Sequence, residues 1–173
     1  RECIGCNICI ASWHDGVPVR CTQNATAGEE WRRGWHPERF TKASQPDNVL
    51  VVGGGPAGLE AALIAAKQGF EVTIAEQTDD WGGRVLQESQ LPGMATWRRV
   101  RDYRVWALSQ MGNVSMYANS KLDAEAALSF GADHIAVATG ARWTKRLYSA
   151  LEIPAEPLDL PQILTPEDVF VGS

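Results

Sequence analysis

The strongest constraint on the fold is a glycine-rich turn that separates an apolar run from a helical pattern. Residues 49–52 are apolar and mostly β-branched, as in a strand buried on both faces of a parallel sheet. They lead into Gly53-Gly54-Gly55-Pro56-Ala57-Gly58, after which apolar residues recur at helical spacing until Gly69. A second strand pattern, at residues 70–75, ends at Glu76. This order predicts the first half of a doubly wound α/β fold.

Each glycine of the G-x-G-x-x-G motif has a separate physical task. Gly53 permits the tight turn, Gly55 lets the backbone approach a pyrophosphate, and Gly58 lets the helix pack closely on the strand. The helix N-terminus, with Pro56 and Ala57, offers backbone amides and the positive end of the helix dipole to phosphates. The motif therefore predicts a Rossmann-like nucleotide site.

The residues that follow favour FAD or ADP over NAD. A carboxylate at Glu76 can accept both ribose hydroxyls and repels a 2′-phosphate. The paired glycine of Gly82-Gly83-Arg84 and the Ala138-Thr139-Gly140 turn, after a strand predicted at residues 133–137, resemble flavin-binding members of this fold. The predicted nucleotide-contacting residues are Gly53, Gly55, Pro56, Ala57, Gly58, Glu76, Gln77, Gly83, Arg84, Thr139 and Gly140.

All four cysteines, Cys3, Cys6, Cys9 and Cys21, lie at the front of the chain in the pattern C-x2-C-x2-C-x11-C. Such crowding indicates one shared ligand cage, since a disulfide framework spreads its cysteines over the fold. A tight triple with a remote fourth cysteine is typical of iron–sulfur sites, and zinc is the alternative. We expect a [4Fe-4S] cluster, with Gly5 leaving amides for the sulfurs and isoleucines excluding water. Either metal implies a reducing, cytoplasmic compartment.

Charge and hydropathy exclude two classes of partner. The chain has 16 basic and 21 acidic residues, a net charge of −5, which argues against nucleic acid held by a basic surface. The arginines and aromatics between Met94 and Met111 therefore predict a surface helix with its aromatics packed inward. Apolar runs fall far short of the roughly 20 residues that a membrane span needs. No combination of residues predicts a catalytic acid, base or nucleophile.

The cysteine motif and the residues after it resemble one family closely. Cys3-Ile4-Gly5-Cys6-Asn7-Ile8-Cys9, Cys21-Thr22-Gln23-Asn24, Gly28-Glu29-Glu30 and Gly34-Trp35-His36-Pro37 are similar to trimethylamine and dimethylamine dehydrogenases. These are iron–sulfur flavoproteins with an old-yellow-enzyme-type barrel in front, a plan that bacterial 2,4-dienoyl-CoA reductases share. Gly83-Arg84-Val85 looks more like the relatives that demethylate N-methylated amino acids.

The resemblance implies a division of labour across a longer, homo-oligomeric enzyme. A missing N-terminal barrel would hold FMN and oxidise the amine, and the cluster on the four cysteines would receive the electrons. An electron-transferring flavoprotein, or a nicotinamide cofactor, would be the external electron partner. The nucleotide site would hold FAD, or ADP in its place, and the residues leave this choice open.

The chain therefore divides into a small, irregular cluster-binding segment at residues 1–42 and a truncated FAD/ADP-binding domain at residues 48–173, an incomplete Rossmann-like α/β domain of the three-layer ββα type. It begins at Arg1 and its first methionine is Met94, so we expect a piece of a longer protein. Two alternatives stay open. One is a fragment of an NAD(P)H-dependent enoate or dienoyl-CoA reductase, in which electrons run the other way. The other is a zinc-stabilised nucleotide-binding module without redox activity.

Overall fold

The computed structural model describes residues 2–30, 39–143 and 164–171, which fall into two compact units, Arg1–Thr139 and Gly140–Ser173. The sequence motif at residues 34–37 lies outside the described residues. The first unit holds both the cysteines and the glycine turn. The division into a cluster-binding segment at residues 1–42 and a nucleotide-binding domain at residues 48–173 stays a prediction.

A four-stranded parallel sheet organises the first unit. Its strands are β1 (Asn48–Val52), β2 (Glu71–Ala75), β3 (Val114–Tyr117) and β4 (His134–Val137). Their order in the sheet is β3-β2-β1-β4, so the chain runs outward from β1 and then crosses to its other side. The predicted α/β class is confirmed, and the reversal beside β1 is the place where such sheets bind ligands.

Short and medium helices connect and cover the strands. In chain order they are α1 (Ile8–His14), α2 (Pro56–Gln68), α3 (Arg84–Glu88), a 3-10 turn (Ala95–Arg98), α4 (Arg99–Ser109), α5 (Ala124–Ser129) and α6 (Pro166–Val171). Helix α2 begins at its proline and ends at Gly69, whose φ of 99° is left-handed, as the sequence predicts. In the part of the chain that is described, no helix is long and apolar enough to cross a bilayer.

Side chains of β1 point alternately to the two faces of the sheet, and each face carries a hydrophobic core. Val49 and Val51 point into the larger core, where Leu59 and Leu63 of α2 meet Leu108 of α4. The other face is a smaller cluster of Leu50, Val52 and Ala127. Each of the fully buried leucines contributes roughly 1.5–3 kcal/mol by leaving water. The sheet edge that carries the glycine turn is thereby held between two packed layers.

Two expectations about local structure are met only in part. The cysteine segment, predicted to be irregular, contains one short helix, α1, which begins after Asn7 in a left-handed conformation (φ 58°). Of the aromatics predicted to pack inward, Trp97 and Tyr103 contact buried clusters, but Trp106 is 63% exposed and Arg104 is buried at 4% exposure. Trp106 faces solvent because Val100, Ala107 and Leu108 already form the buried side of α4.

In the second unit, helix α6 begins with a reciprocal pair of hydrogen bonds between Thr165 and Asp168. The Asp168 N–H donates to Thr165 Oγ1 (3.3 Å), and the Thr165 N–H donates back to Asp168 Oδ2 (2.8 Å). Two orphan donors of the helix end are satisfied reciprocally.

Candidate nucleotide site and thiol segment

The glycine turn after β1 is packed so tightly that side chains have no room. A Cβ on Gly58 would lie 1.8 Å from the carbonyl oxygen of Gly53, and one on Gly53 would lie 2.4 Å from that of Ala138. Gly53 also has a φ of 109°, which L side chains rarely adopt. The first and third glycines of the motif therefore let strand, helix and the following strand meet at one point.

The middle of the turn is open where the outer glycines are crowded. A Cβ on Gly55 would meet nothing within 4 Å, and Pro56 and Ala57 are exposed. Gly55 precedes α2 with no side-chain cap, so the first amides of this 13-residue helix have no intrahelical partner. Open space over unpartnered amides is what a phosphate group requires.

Glu76 is buried just after β2, and its carboxylate joins the loop after β2 to the glycine turn. Its Oε2 accepts a 2.6 Å hydrogen bond from the Gly54 N–H. Its Oε1 accepts from both the backbone N–H and the hydroxyl of Thr78, each at 2.9 Å. Glu76 is 6% exposed, and its carboxylate accepts a hydrogen bond from the glycine turn itself, a role that the ribose-binding motif does not predict. Gln77 beside it is exposed.

The paired glycine lies against the glycine turn. The Gly82 N–H donates to the Gly54 carbonyl (2.8 Å), and a Cβ on Gly83 would be 3.4 Å from the Cα of Gly55. Gly83, with φ 54°, precedes α3, which begins at half-buried Arg84. The structure thus brings the β2–α3 loop to the open side of the turn.

The end of β4 reaches the same place. The Ala138 N–H donates to the Val52 carbonyl (2.8 Å), and the backbone nitrogen of Thr139 would be 3.1 Å from a Cβ on Gly53. Thr139 is exposed beside the turn. Gly140, also exposed and with φ 83°, begins the second unit.

Cys3 and Cys6 lie on the loop before α1, Cys9 lies in α1, and Cys21 follows it in the chain. The Gly5 N–H donates to Cys3 Sγ (3.3 Å). Cys6 Sγ lies 3.0 Å from the Thr22 hydroxyl, which brings the segment of the fourth cysteine to the triple. This hydrogen bond lowers the pKa of the Cys6 thiol, because it stabilises the thiolate.

The four thiols are not gathered into one metal site in the part of the chain that the structure describes. Within residues 2–30, 39–143 and 164–171, no three or more His, Cys, Asp or Glu side chains converge on a point where a metal ion could sit. Cysteine sulfur is a suitable ligand for both iron–sulfur clusters and zinc, so the choice between the two stays a prediction. Cys3, Cys9 and Cys21 are exposed and Cys6 is half-buried. The expected apolar cover is largely wrong: Ile4 is buried, but Ile8 and Ile10 are exposed.

The loop that carries Cys3 and Cys6, called the thiol loop from here on, packs against α3 and α4. Ile4 packs with Val85 and Val100 in a small buried cluster. The Thr96 hydroxyl donates to the Ile4 carbonyl (3.2 Å), and Arg99 Nη1 donates to the Cys3 carbonyl (3.0 Å). The loop is thus held by residues that come after the glycine turn.

A buried polar network, which the sequence reading missed, joins the same regions. Arg104 Nε contacts Glu60 Oε2 of α2 (2.7 Å), and its Nη1 donates to Gln23 Oε1 (2.9 Å). Gln23 Nε2 in turn donates to the Glu2 carbonyl (3.3 Å). Sequence offers no signal for these contacts, since Arg104 is one of four arginines in a stretch that reads as a surface.

These features define a dinucleotide-binding domain of the flavoprotein type that carries a docked thiol segment. The profile of the pyridine nucleotide-disulphide oxidoreductases matches residues 19–159, and the chain belongs to this family. Membership supports a flavin cofactor.

Similar proteins extend the match to the thiol segment. Dimethylamine dehydrogenase from Hyphomicrobium sp. (strain x) is 40% identical over 99% of the chain and 25% of its own length. The structure of 6-hydroxypseudooxynicotine amine oxidase from Pseudomonas geniculata N1 is 49% identical, with a TM-score of 0.91 over 99% of the chain and 26% of its own. Histamine dehydrogenase from Rhizobium sp. 4-9 is also 49% identical, with a TM-score of 0.83 over 89% and 24%. The resemblance to amine dehydrogenases is confirmed, and the chain spans about a quarter of these relatives.

Proposed function

We propose that the chain is the electron-transfer part of an iron–sulfur flavoprotein oxidoreductase that oxidises amines. One observation carries the proposal: the thiol loop and the glycine turn belong to one compact unit, with the thiol loop docked on α3 and α4. A nucleotide-binding module without redox work has no need of a four-thiol segment held in this way.

The nucleotide would bind along the carboxyl edge of β1. Open space at Gly55 and the amides at the start of α2 suit a pyrophosphate. Glu76, with its carboxylate fixed by Gly54 and Thr78, would accept the ribose hydroxyls and disfavour a 2′-phosphate. The set of residues proposed to bind FAD, or ADP alone, also includes Gly83, Arg84, Thr139 and Gly140.

Cys3, Cys6, Cys9 and Cys21 would hold the cluster. The Gly5 amide and the Thr22 hydroxyl, already bonded to two of these sulfurs, would stabilise the thiolates as ligands. A bound flavin supplies two-electron chemistry and a [4Fe-4S] cluster supplies one-electron transfer. The protein's own task is to hold the two groups on one scaffold.

The substrate is proposed to be an amine, and specifically an N-methylated one. Three relatives carry amine substrates in their names, and one of them is a dimethylamine dehydrogenase that matches 99% of the chain. Because the chain spans about a quarter of each relative, we place FMN and the amine site in a barrel outside this chain. An electron-transferring flavoprotein is the proposed electron acceptor. An NAD(P)H-dependent reductase is the alternative with the same cofactors.

The deciding experiment measures iron, acid-labile sulfide and released nucleotide in the anaerobically purified full-length protein. Four irons and four sulfides per chain would be expected for one [4Fe-4S] cluster. Released FAD would indicate a second redox centre, and ADP a structural nucleotide. Zinc without sulfide would overturn the proposal, and bleaching by NADPH or NADH, but not by an amine, would select the reductase.

A further inference from the structure

Gln23 links the segment of the fourth cysteine to that of the first. It follows Cys21 closely in sequence, and its side chain is 3% exposed. Its amide nitrogen donates to the carbonyl of Glu2, the residue before Cys3 (3.3 Å). This buried amide therefore links the two backbone segments, beside the contact between Thr22 and Cys6.

Arg104 fixes the orientation of that amide. Its Nη1 donates to Gln23 Oε1 (2.9 Å) and to the Val100 carbonyl of its own helix (2.8 Å). Because Arg104 donates to the side-chain oxygen of Gln23, the side-chain nitrogen of Gln23 must face Glu2. If the amide group were rotated by 180°, its NH2 group would face the N–H donors of Arg104. A buried charged donor makes such a flip costly.

Glu60 connects this pair to the nucleotide helix. It lies in the first half of α2, and its Oε2 is 2.7 Å from Arg104 Nε. The guanidinium thus spans two acceptors at once, which a single ammonium group cannot reproduce in this planar geometry. A chain of polar contacts therefore connects the helix at the glycine turn with the thiol loop, through Glu60, Arg104 and Gln23.

We propose that Gln23 is a positioning residue for the thiol site, oriented by Arg104 and anchored through Glu60 to α2. It holds the Cys21 segment against the Cys3 segment, so that all four thiolates meet one cluster. The inference rests on the proposed function and adds residues that touch neither the cluster nor the nucleotide.

The test compares variants of the full-length protein by the rate of iron release to a chelator, the EPR spectrum of the reduced protein and the retained nucleotide. Gln23→Met removes both amide bonds. Gln23→Glu keeps an acceptor for Arg104 but loses the donor to Glu2. Gln110→Met is the matched control, since that glutamine is exposed and its side-chain amide donates to the hydroxyl of the neighbouring Ser109.

Both Gln23 variants are expected to release iron about 10- to 100-fold faster, the range for residues that orient metal ligands, with an altered EPR spectrum. Nucleotide content should match the wild type, and the melting temperature should fall only modestly, because Arg104 keeps its contacts with Glu60 and Val100. Arg104→Lys should fall between, because it keeps the charge but cannot contact Glu60 and Gln23 with the same planar geometry.

Unchanged iron release and EPR spectrum in Gln23→Glu and Gln23→Met would overturn this inference alone. Loss of nucleotide together with iron would also overturn it, since that result indicates general unfolding. Wild-type protein without iron and sulfide would overturn the proposed function itself, and the inference with it.

Discussion

Glu76 and Gly54 are joined by a 2.6 Å hydrogen bond from the glycine N–H to the buried carboxylate. The other carboxylate oxygen accepts two further donors from Thr78. The acid expected to bind ribose therefore also closes the turn that faces the phosphates. Nucleotide affinity and local stability should respond together when this side chain is changed.

Glu76→Gln is expected to weaken ADP binding about 10-fold or more and to destabilise the fold by about 1–3 kcal/mol. The amide NH2 of glutamine must face one of the three donors that the carboxylate accepts, which leaves that donor unsatisfied. Calorimetric titration with ADP measures the change in affinity, and urea unfolding measures the change in stability. Glu71→Gln, an exposed change on the same strand, is the control and should alter neither.

Gly58→Ala should abolish nucleotide retention and destabilise the domain by at least about 1–3 kcal/mol. Its Cβ would lie 1.8 Å from the Gly53 carbonyl oxygen, so strand and helix must separate. Gly112→Ala is the matched control, because a Cβ there meets open space. Equal urea midpoints for the two variants would contradict the packing described at the turn.

Gly28→Ala is expected to lower iron content while sparing nucleotide content. A Cβ on Gly28 would lie 1.8 Å from the Val19 carbonyl oxygen, in the stretch that leads to Cys21. Gly16→Ala shares the strain of a positive φ but meets nothing within 4 Å. The difference in iron per chain between these variants isolates the steric clash, and iron loss in both would attribute the effect to backbone strain instead.

Thr22→Val should shift the pH profile of Cys6 alkylation upward in metal-free protein. The Thr22 hydroxyl lowers the pKa of the Cys6 thiol, so removing it raises that pKa toward its ordinary value. A lowered folded-state pKa favours the folded state above the unfolded pKa of about 8.5. This contribution is lost as the pH falls through the folded pKa.

Iodoacetamide labelling of Cys6, followed by mass spectrometry across pH, measures the shift. Thr22→Ser keeps the hydroxyl and should retain the wild-type profile. A Thr22→Val profile that coincides with the wild type would show that the hydroxyl does not stabilise the thiolate.

Sequence predicts the strands, helix α2 and the turn because their signals are local. The apolar periodicity of α2 and Pro56 lie within the helix, and Gly69 follows it directly. It fails for α1, which has no periodic apolar face, and for Arg104, whose partners Glu60 and Gln23 are 44 and 81 residues away in the chain. Burial of a charge depends on partners that only the tertiary fold brings near.

Docking of the thiol loop also imposes an order on biosynthesis. The contacts of Ile4 with Thr96 and of Cys3 with Arg99 span 92 and 96 residues. On the ribosome, the cysteines emerge long before the residues that hold their loop. Iron delivered to the nascent chain would meet a loop without its support, so we expect the proposed cluster to load only after α4 has been synthesised and folded.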